Sequence, residues 1–154
     1  MDMPLRPGHR AQRNGRAELR GQLHHVTMVT HDRRPLFRRF DVAAAACRAI
    51  HARTRAGELE ALCWVLMPDH LHLLLRLQTD DLSAAVGELQ ARVARAVDDD
   101  RDPAPAVWGR GFHDHALRSD ENPLVVARTL IANPLRAGLV PSLRFYPYWY
   151  AAWL

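Results

Sequence analysis

The sequence predicts an α+β domain: a ferredoxin-like βαββαβ antiparallel sheet with its helices on one face, plus an additional C-terminal helix. Three observations carry this. Apolar runs of strand length alternate with alanine- and leucine-rich stretches of helical length, in the order strand, helix, strand, strand, helix, strand. A Pro68-Asp69 break divides one long apolar run into two strands joined by a tight turn. A chain of 154 residues, 48% apolar and 25% charged, suits one compact core rather than two.

Residues 1–21 read as a flexible basic arm, with arginines at 6, 10, 13, 16 and 20, several prolines and glycines, and little to bury. The single domain is expected over 22–154. Gln22–Thr30 (QLHHVTMVT) is β-rich and alternates, as a strand does. Asp32-Arg33-Arg34-Pro35 turns the chain. Asp41 is expected to cap an alanine-rich helix that runs to about Arg55 and stops at Gly57. Glu60–Met67 is continuously apolar, as for a strand covered on both faces. His70–Leu77 resumes as its partner. Asp81 or Ser83 starts a helix to about Val97, and the acidic run Asp98–Pro105 follows as a loop. Trp108–Arg118 opens on a glycine-rich turn and becomes the fourth strand. Asp120 or Asn122 caps a helix with Pro123 in its first turn. Asn133-Pro134 interrupts that helix, and a short turn ends at Gly138. The tail Tyr146–Trp153 is dense in aromatic residues, suited to packing on the sheet or stacking on bases.

The charge is uneven. All 21 basic side chains are arginine, the formal net charge is +4, and there is no lysine. Residues 1–40 carry nine arginines against Asp2, Glu18 and Asp32, a balance of +6; the remainder carries twelve against fourteen acids, a balance of −2. An anionic partner is therefore drawn first to the N-terminal part. This composition disfavours disorder and collagen-like repeats. Cys47 and Cys63 lie in apolar segments without metal-type spacing, so buried free thiols in a reducing cytoplasm are expected. No stretch has the length of a membrane span, and Met1–Gly21 lacks the apolar core of a signal peptide.

His70 and His72 stand at i and i+2 of a strand and so share one face, while Leu71 points into the core. Two imidazoles that close can hold one divalent cation. Placing them in a core-forming run has a desolvation cost that a site would justify. Two nitrogens leave most of a metal shell for a phosphate oxygen, which suits polarising a phosphodiester. Asp69, in the turn, is read as satisfying backbone donors there.

Four blocks then resemble one family: His25–Phe37 (HVTMVTHDRRPLF), Val65–Leu75 (VLMPDHLHLLL), Trp108–Arg118 (WGRGFHDHALR) and Ile131–Val140 (IANPLRAGLV). The ending Tyr146-Pro-Tyr-Trp149 fits as well. Together they cover most of residues 22–153 in the family's order. The chain resembles the REP-associated tyrosine transposases, a branch of the single-tyrosine HUH transposases.

The resemblance implies a bacterial, cytoplasmic, nucleoid-associated transposase. It would be a metal-dependent endonuclease of single-stranded DNA, acting by transesterification at repetitive palindromic hairpins in DNA transposition. His70 and His72 fall on the family's metal pair, with Mg²⁺ or Mn²⁺ the implied ion. Asn133 matches a polar helper, and a monomer is favoured over the dimers of other branches. The family's nucleophilic tyrosine, four residues before the Asn-Pro, is Thr129 here. A phenol ionises near ~10, whereas an aliphatic hydroxyl ionises with far more difficulty and is shorter by a ring. Three readings follow: a degenerate or domesticated copy that binds DNA without cutting it, a substitute nucleophile among Tyr146, Tyr148 and Tyr150, or hydrolysis by a metal-activated water.

Arg33, Arg34, Arg38 and Arg39 form the densest basic cluster and are candidate DNA contacts, with Arg110, Arg118, Arg128 and Arg136 beside them. His113 and His115 repeat the i, i+2 pattern as candidate helpers. His24, His25 and His31 are read as surface or structural residues.

Overall fold

The computed structural model describes residues 20–55, 57, 59–97 and 105–153. Nearly all of the expected arm and most of the acidic loop fall outside this range. Five strands and four α-helices follow in order: β1 (Leu23–Val29), α1 (Phe40–Thr54), β2 (Leu59–Met67), β3 (His70–Leu77), α2 (Leu82–Ala96), β4 (His113–Ala116), α3 (Pro123–Ile131), α4 (Asn133–Arg136) and β5 (Trp149–Ala151). The sheet is antiparallel throughout, in the order β4-β1-β3-β2-β5. Its first four strands have the ferredoxin-like order expected from the sequence.

β2 and β3 occupy the centre, and this explains their apolar runs. On one face, Leu71, Leu73, Leu75 and Leu77 pack with Val26, Met28 and the inner sides of α1 and α2, among them Ala43, Ala46, Ile50, Val86, Leu89 and Val93. On the other face, Leu74 and Cys63 pack under Ala127, Leu130 and Ile131 of α3. A β-bulge between Ala61 and Cys63 shifts the register, so that Leu62 joins Cys63 beneath α3. α1 and α2 thus lie together on one face, as the ferredoxin-like order implies, and the additional C-terminal helix α3 covers the other.

Helix starts follow the chemistry of their caps. Asp81 Oδ1 accepts from the backbone N–H of Ala84 at 3.0 Å and opens α2. Asn122 Oδ1 accepts from Leu124 N–H at 2.9 Å, with Pro123 at the first helical position. Asp41 does not cap α1 as expected. The helix begins at Phe40, and Asp41 sits in its first turn, paired with Arg39 at 3.0 Å. There its charge still complements the helix dipole.

The aromatic tail adds a fifth strand that the sequence reading did not include. Val65, Trp64 and Cys63 pair with Trp149, Tyr150 and Ala151, closing the β2 edge. Cys47 and Cys63 are free thiols, and burial pushes both up to about 12.

Leu73 is fully buried between the sheet and the α1–α2 layer. Leu73→Ala is expected to cost ~2–5 kcal/mol in urea unfolding. Phe40→Ser, at a position 71% exposed, should stay within about 0.5 kcal/mol.

Candidate functional site

The register of the central strands collects the site. Thr27 of β1 pairs with His72 of β3, and Val29 with His70. On the other side of β1, His25 pairs with His115 and Thr27 with His113. Residues paired across antiparallel strands point to the same face. His25, Thr27, His70, His72, His113 and His115 therefore share the face that carries α3, opposite α1 and α2.

The contacts are close. His25 Nε2 lies 3.1 Å from His72 Nδ1, and Thr27 Oγ1 lies 3.0 Å from the same nitrogen. The His70 and His72 rings meet edge to face at 4.8 Å between centroids. Burial, then the charges of His70, His25, Arg136 and His113, push His72 down to about 2. Burial and the neighbouring His115 push His25 down to about 4, against the pull of Asp114. Both imidazoles are neutral at neutral pH, the form that presents a lone pair.

Asp69 is more than a turn residue. Its Oδ1 accepts from His70 Nδ1 at 2.6 Å, and its Oδ2 lies 3.6 Å from an Arg33 nitrogen. With the proton assigned to Nδ1 by this bond, Nε2 of His70 is left as the free donor atom. This carboxylate–histidine pair fits a metal ligand held in its correct tautomer. Among the described residues, no three His, Cys, Asp or Glu side chains group so as to hold a metal ion by themselves. A cation bound by His70 and His72 would take its remaining ligands from substrate and water.

The helper histidines divide. His115 Nε2 bonds to Glu121 at 2.8 Å. The Arg118 backbone N–H and His115 together hold the Glu121 carboxyl below its usual range. His113 sits nearer the pair and acts electrostatically on both His25 and His72. Buried His24 turns to the opposite face and bonds through Nδ1 to Asp114 at 2.8 Å, a structural role as expected. His25, expected to be a surface or structural residue, lies instead inside the cluster. Only its register against His72, which no local pattern reveals, could have found it.

Thr129 and Asn133 come together through Arg136. One Arg136 nitrogen donates to the Thr129 carbonyl at 2.8 Å and to Asn133 Oδ1 at 2.6 Å. The Thr129 hydroxyl itself is exposed and donates back to Val125 O at 2.9 Å, within its own helix. The tail tyrosines are engaged elsewhere. Tyr146 is buried, its hydroxyl donates to the Leu66 carbonyl, and burial raises its pKa. Tyr150 stacks on Trp64 and meets His51 of α1, on the far face of the sheet. Tyr148 lies edge-on to Tyr146, and burial raises its pKa as well.

The loop after β1 brings arginines to the end of the sheet where His70 begins β3: Thr30 N–H donates to Asp69 O at 2.9 Å and Phe37 N–H to Pro68 O at 3.0 Å. Arg34 is a structural strut, donating to Ala106 O at 2.8 Å. Arg39 pairs with Asp41, and Arg118 with Asp120 at 3.3 Å. Arg38, Arg110 and Arg128 are exposed, and their guanidiniums make no hydrogen bond or ion pair with the described residues.

The family model for IS200-like transposases matches residues 20–122, two-thirds of the chain. The chain belongs to this family. No curated protein matches. Among solved structures, a REP-associated tyrosine transposase bound to a REP hairpin superposes with a TM-score of 0.70 at 22% identity, over 87% of this chain and 79% of that one. A protein of Deinococcus radiodurans R1 described as a transposase gives 0.54 at 21%, over 77% and 95%. A bacterial tRNA(His) guanylyltransferase-like protein in complex with GTP gives 0.51 at 11%, over 82% and 72%. At these identities the likeness is one of fold. The IS200-like match ends at residue 122, before Thr129.

Thr129→Ala is expected to leave the melting temperature unchanged or slightly raised, because the hydroxyl serves only its own helix and alanine has the higher helix propensity. A loss above about 1 kcal/mol would show that the hydroxyl holds more than this.

Proposed function

We propose that this transposase-family chain recognises single-stranded or hairpin DNA of the repetitive palindromic kind. In this reading it holds Mg²⁺ or Mn²⁺ at His70 and His72 and forms no phosphotyrosine at position 129. The observation that carries the reading is the common face: the neutral imidazoles, the α3–α4 junction and the arginine-bearing loop converge at one end of the sheet. The hairpin-bound neighbour of the same fold supports it.

Each residue has a part. Asp69 fixes His70, and Thr27 and His25 fix His72. The cation, when bound, polarises a phosphodiester oxygen. Asn133 and Arg136 border that oxygen's site, and His113 and His115 flank it. Arg33, Arg38, Arg110 and Arg128 neutralise phosphates along the strand. Arg34, Arg39 and Arg118, each of which also holds a partner within the protein, add further contacts to the strand. The arginines of residues 1–21, nearly all outside the described range, would add to the attraction for the strand. The protein acts as a monomer in the bacterial cytoplasm, at the nucleoid.

Thr129 cannot replace the phenol. Its hydroxyl is turned to Val125, it is shorter by a ring, and its alkoxide is a poor leaving group. Tyr146, with its hydroxyl bonded to Leu66 and its pKa raised, is no substitute. The chain therefore binds its DNA as a decayed nuclease.

Two measurements check this. On denaturing gels with hairpin DNA and Mn²⁺, wild type should give no covalent protein–DNA band, while Thr129→Tyr should give one that His70→Ala abolishes. A wild-type covalent band would refute the decayed-nuclease reading, and cleavage without such a band, lost in His70→Ala, would favour a metal-activated water. In salt titrations of single-strand binding, Arg38→Ala and Arg128→Ala should each lower the log–log slope by about 0.7. Binding that ignores salt would contradict the arginine–phosphate contacts.

A further inference from the structure

α1 and α2 pack side by side on the face of the sheet opposite the histidines, and they leave a hollow that the proposed DNA contacts do not use. The cavity measures about 620 Å³, inside the range of roughly 300–1,000 Å³ usual for ligand sites. Ala49 and Ala52 stand three apart on α1 and line it with methyl groups alone. Arg53 at the end of α1, and Glu88, Arg92 and Arg95 on α2, give it a charged lining.

The charges there do not balance, because three guanidiniums face one carboxylate. Glu88 Oε1 accepts from Arg92 Nη2 at 3.0 Å, and its Oε2 lies 3.7 Å from Arg53 Nη2. The two guanidiniums are therefore separated by little more than one carboxylate. Arg92, then Arg53 and, more weakly, Arg95 hold the Glu88 carboxyl below its usual range. Arg95 is exposed, and its guanidinium makes no ion pair with the described residues. Arg53 is nearly buried, with 12% of its side chain exposed. Gly57, which also lines the hollow, makes room for it. Its φ is 94°, and a Cβ there would lie 3.1 Å from Arg53 Nη1.

We propose that this hollow binds a compact phosphate chain, two or more phosphoryl groups joined by bridging oxygens, as in a nucleoside triphosphate or inorganic polyphosphate. In the free protein the Glu88 carboxylate, set between two guanidiniums, occupies the place of one phosphoryl group. It is 45% exposed on a flexible stem and swings out as the ligand enters. Guanidinium forks then bind the phosphoryl oxygens bidentately. A DNA strand suits the hollow less well. Its neighbouring phosphates carry one charge each and are separated by a sugar, whereas a phosphate chain brings several charges into one cavity. The site lies across the sheet from His70 and His72, so its occupancy leaves the histidine face open.

The test titrates the full chain with tripolyphosphate, ATP and orthophosphate in EDTA. Salt is kept at about 0.15 M, where general attraction between charges is screened. Binding is read by calorimetry and by the amide resonances of Gly57 and Gly109. Tripolyphosphate should bind saturably and shift Gly57 but not Gly109, with orthophosphate weaker by about tenfold or more. ATP binding tighter than tripolyphosphate would identify a nucleoside triphosphate as the ligand, and equal or weaker binding a polyphosphate. Arg95→Ala should weaken binding about tenfold without lowering the melting temperature. Arg144→Ala, the same loss of charge beside Phe145 in the C-terminal tail, should leave binding unchanged. Glu88→Gln should tighten it about fivefold by removing a repelling charge. The proposal is overturned if no saturable binding is found, if Arg95→Ala and Arg144→Ala weaken it alike, if Glu88→Gln weakens it, or if Gly109 shifts and Gly57 does not. Gly57 shifts of the same kind produced by hairpin DNA would also overturn it, by placing the hollow in the DNA track.

Discussion

The pairing of β3 between β1 and β2 is the constraint on which the molecule depends. Both faces of the sheet are covered, so the alternation along β3 has no slack. Leu71, Leu73, Leu75 and Leu77 must meet the α1–α2 layer, and His70, His72 and Leu74 must meet the other side. A slip of one residue would place two imidazoles among leucines and expose the leucines beneath α3. The hydrophobic core therefore sets the face on which the histidines stand, and Asp69, Thr27 and His25 then orient their rings.

From that constraint the site assembles in layers. The tight turn at Pro68-Asp69 delivers a carboxylate to His70 Nδ1, and the loop after β1 is tied to the same turn by the Thr30 and Phe37 amides. α3 returns over the sheet and ends where Arg136 spans the Thr129 carbonyl and the Asn133 side chain. Thr129 stands where the family resemblance implies a tyrosine. In the proposed reading, binding and positioning would come from the sheet, its loops and arginines, whereas covalent chemistry would need a phenol on that helix.

Much of this was legible in the sequence. The i, i+2 histidines of β3 and the apolar run of β2 announce a two-sided central hairpin, and Asp81 and Asn122 announce their helices, because these signals are local. What was hidden depends on contacts distant in the chain. β5 is only three residues long and takes its strand character from the β2 edge. Its aromatic sequence could equally have packed as a tail. Asp41 is a residue type that caps helices, but the helix starts two residues earlier than such a cap implies, with Arg39 at the N-cap. The placement of α3 opposite α1 and α2 follows from Leu62, Cys63 and Leu74 sharing a face, which depends on a bulge no motif marks. His25 enters the site through register, and the Arg34 guanidinium meets the carbonyl of Ala106, 72 residues away, a contact that no local motif marks.

The central claim is that the face bearing His70 and His72, and not the α1–α2 layer, receives the DNA. Hydrogen–deuterium exchange of the full chain with and without a hairpin bearing a single-stranded flank tests it directly. Protection is predicted in the loop of residues 30–39, at residues 68–72, in the glycine turn and β4, and at the α3–α4 junction, with α1 and α2 unchanged. Protection confined to the outer surfaces of α1 and α2, with residues 68–72 unaffected, would contradict the account.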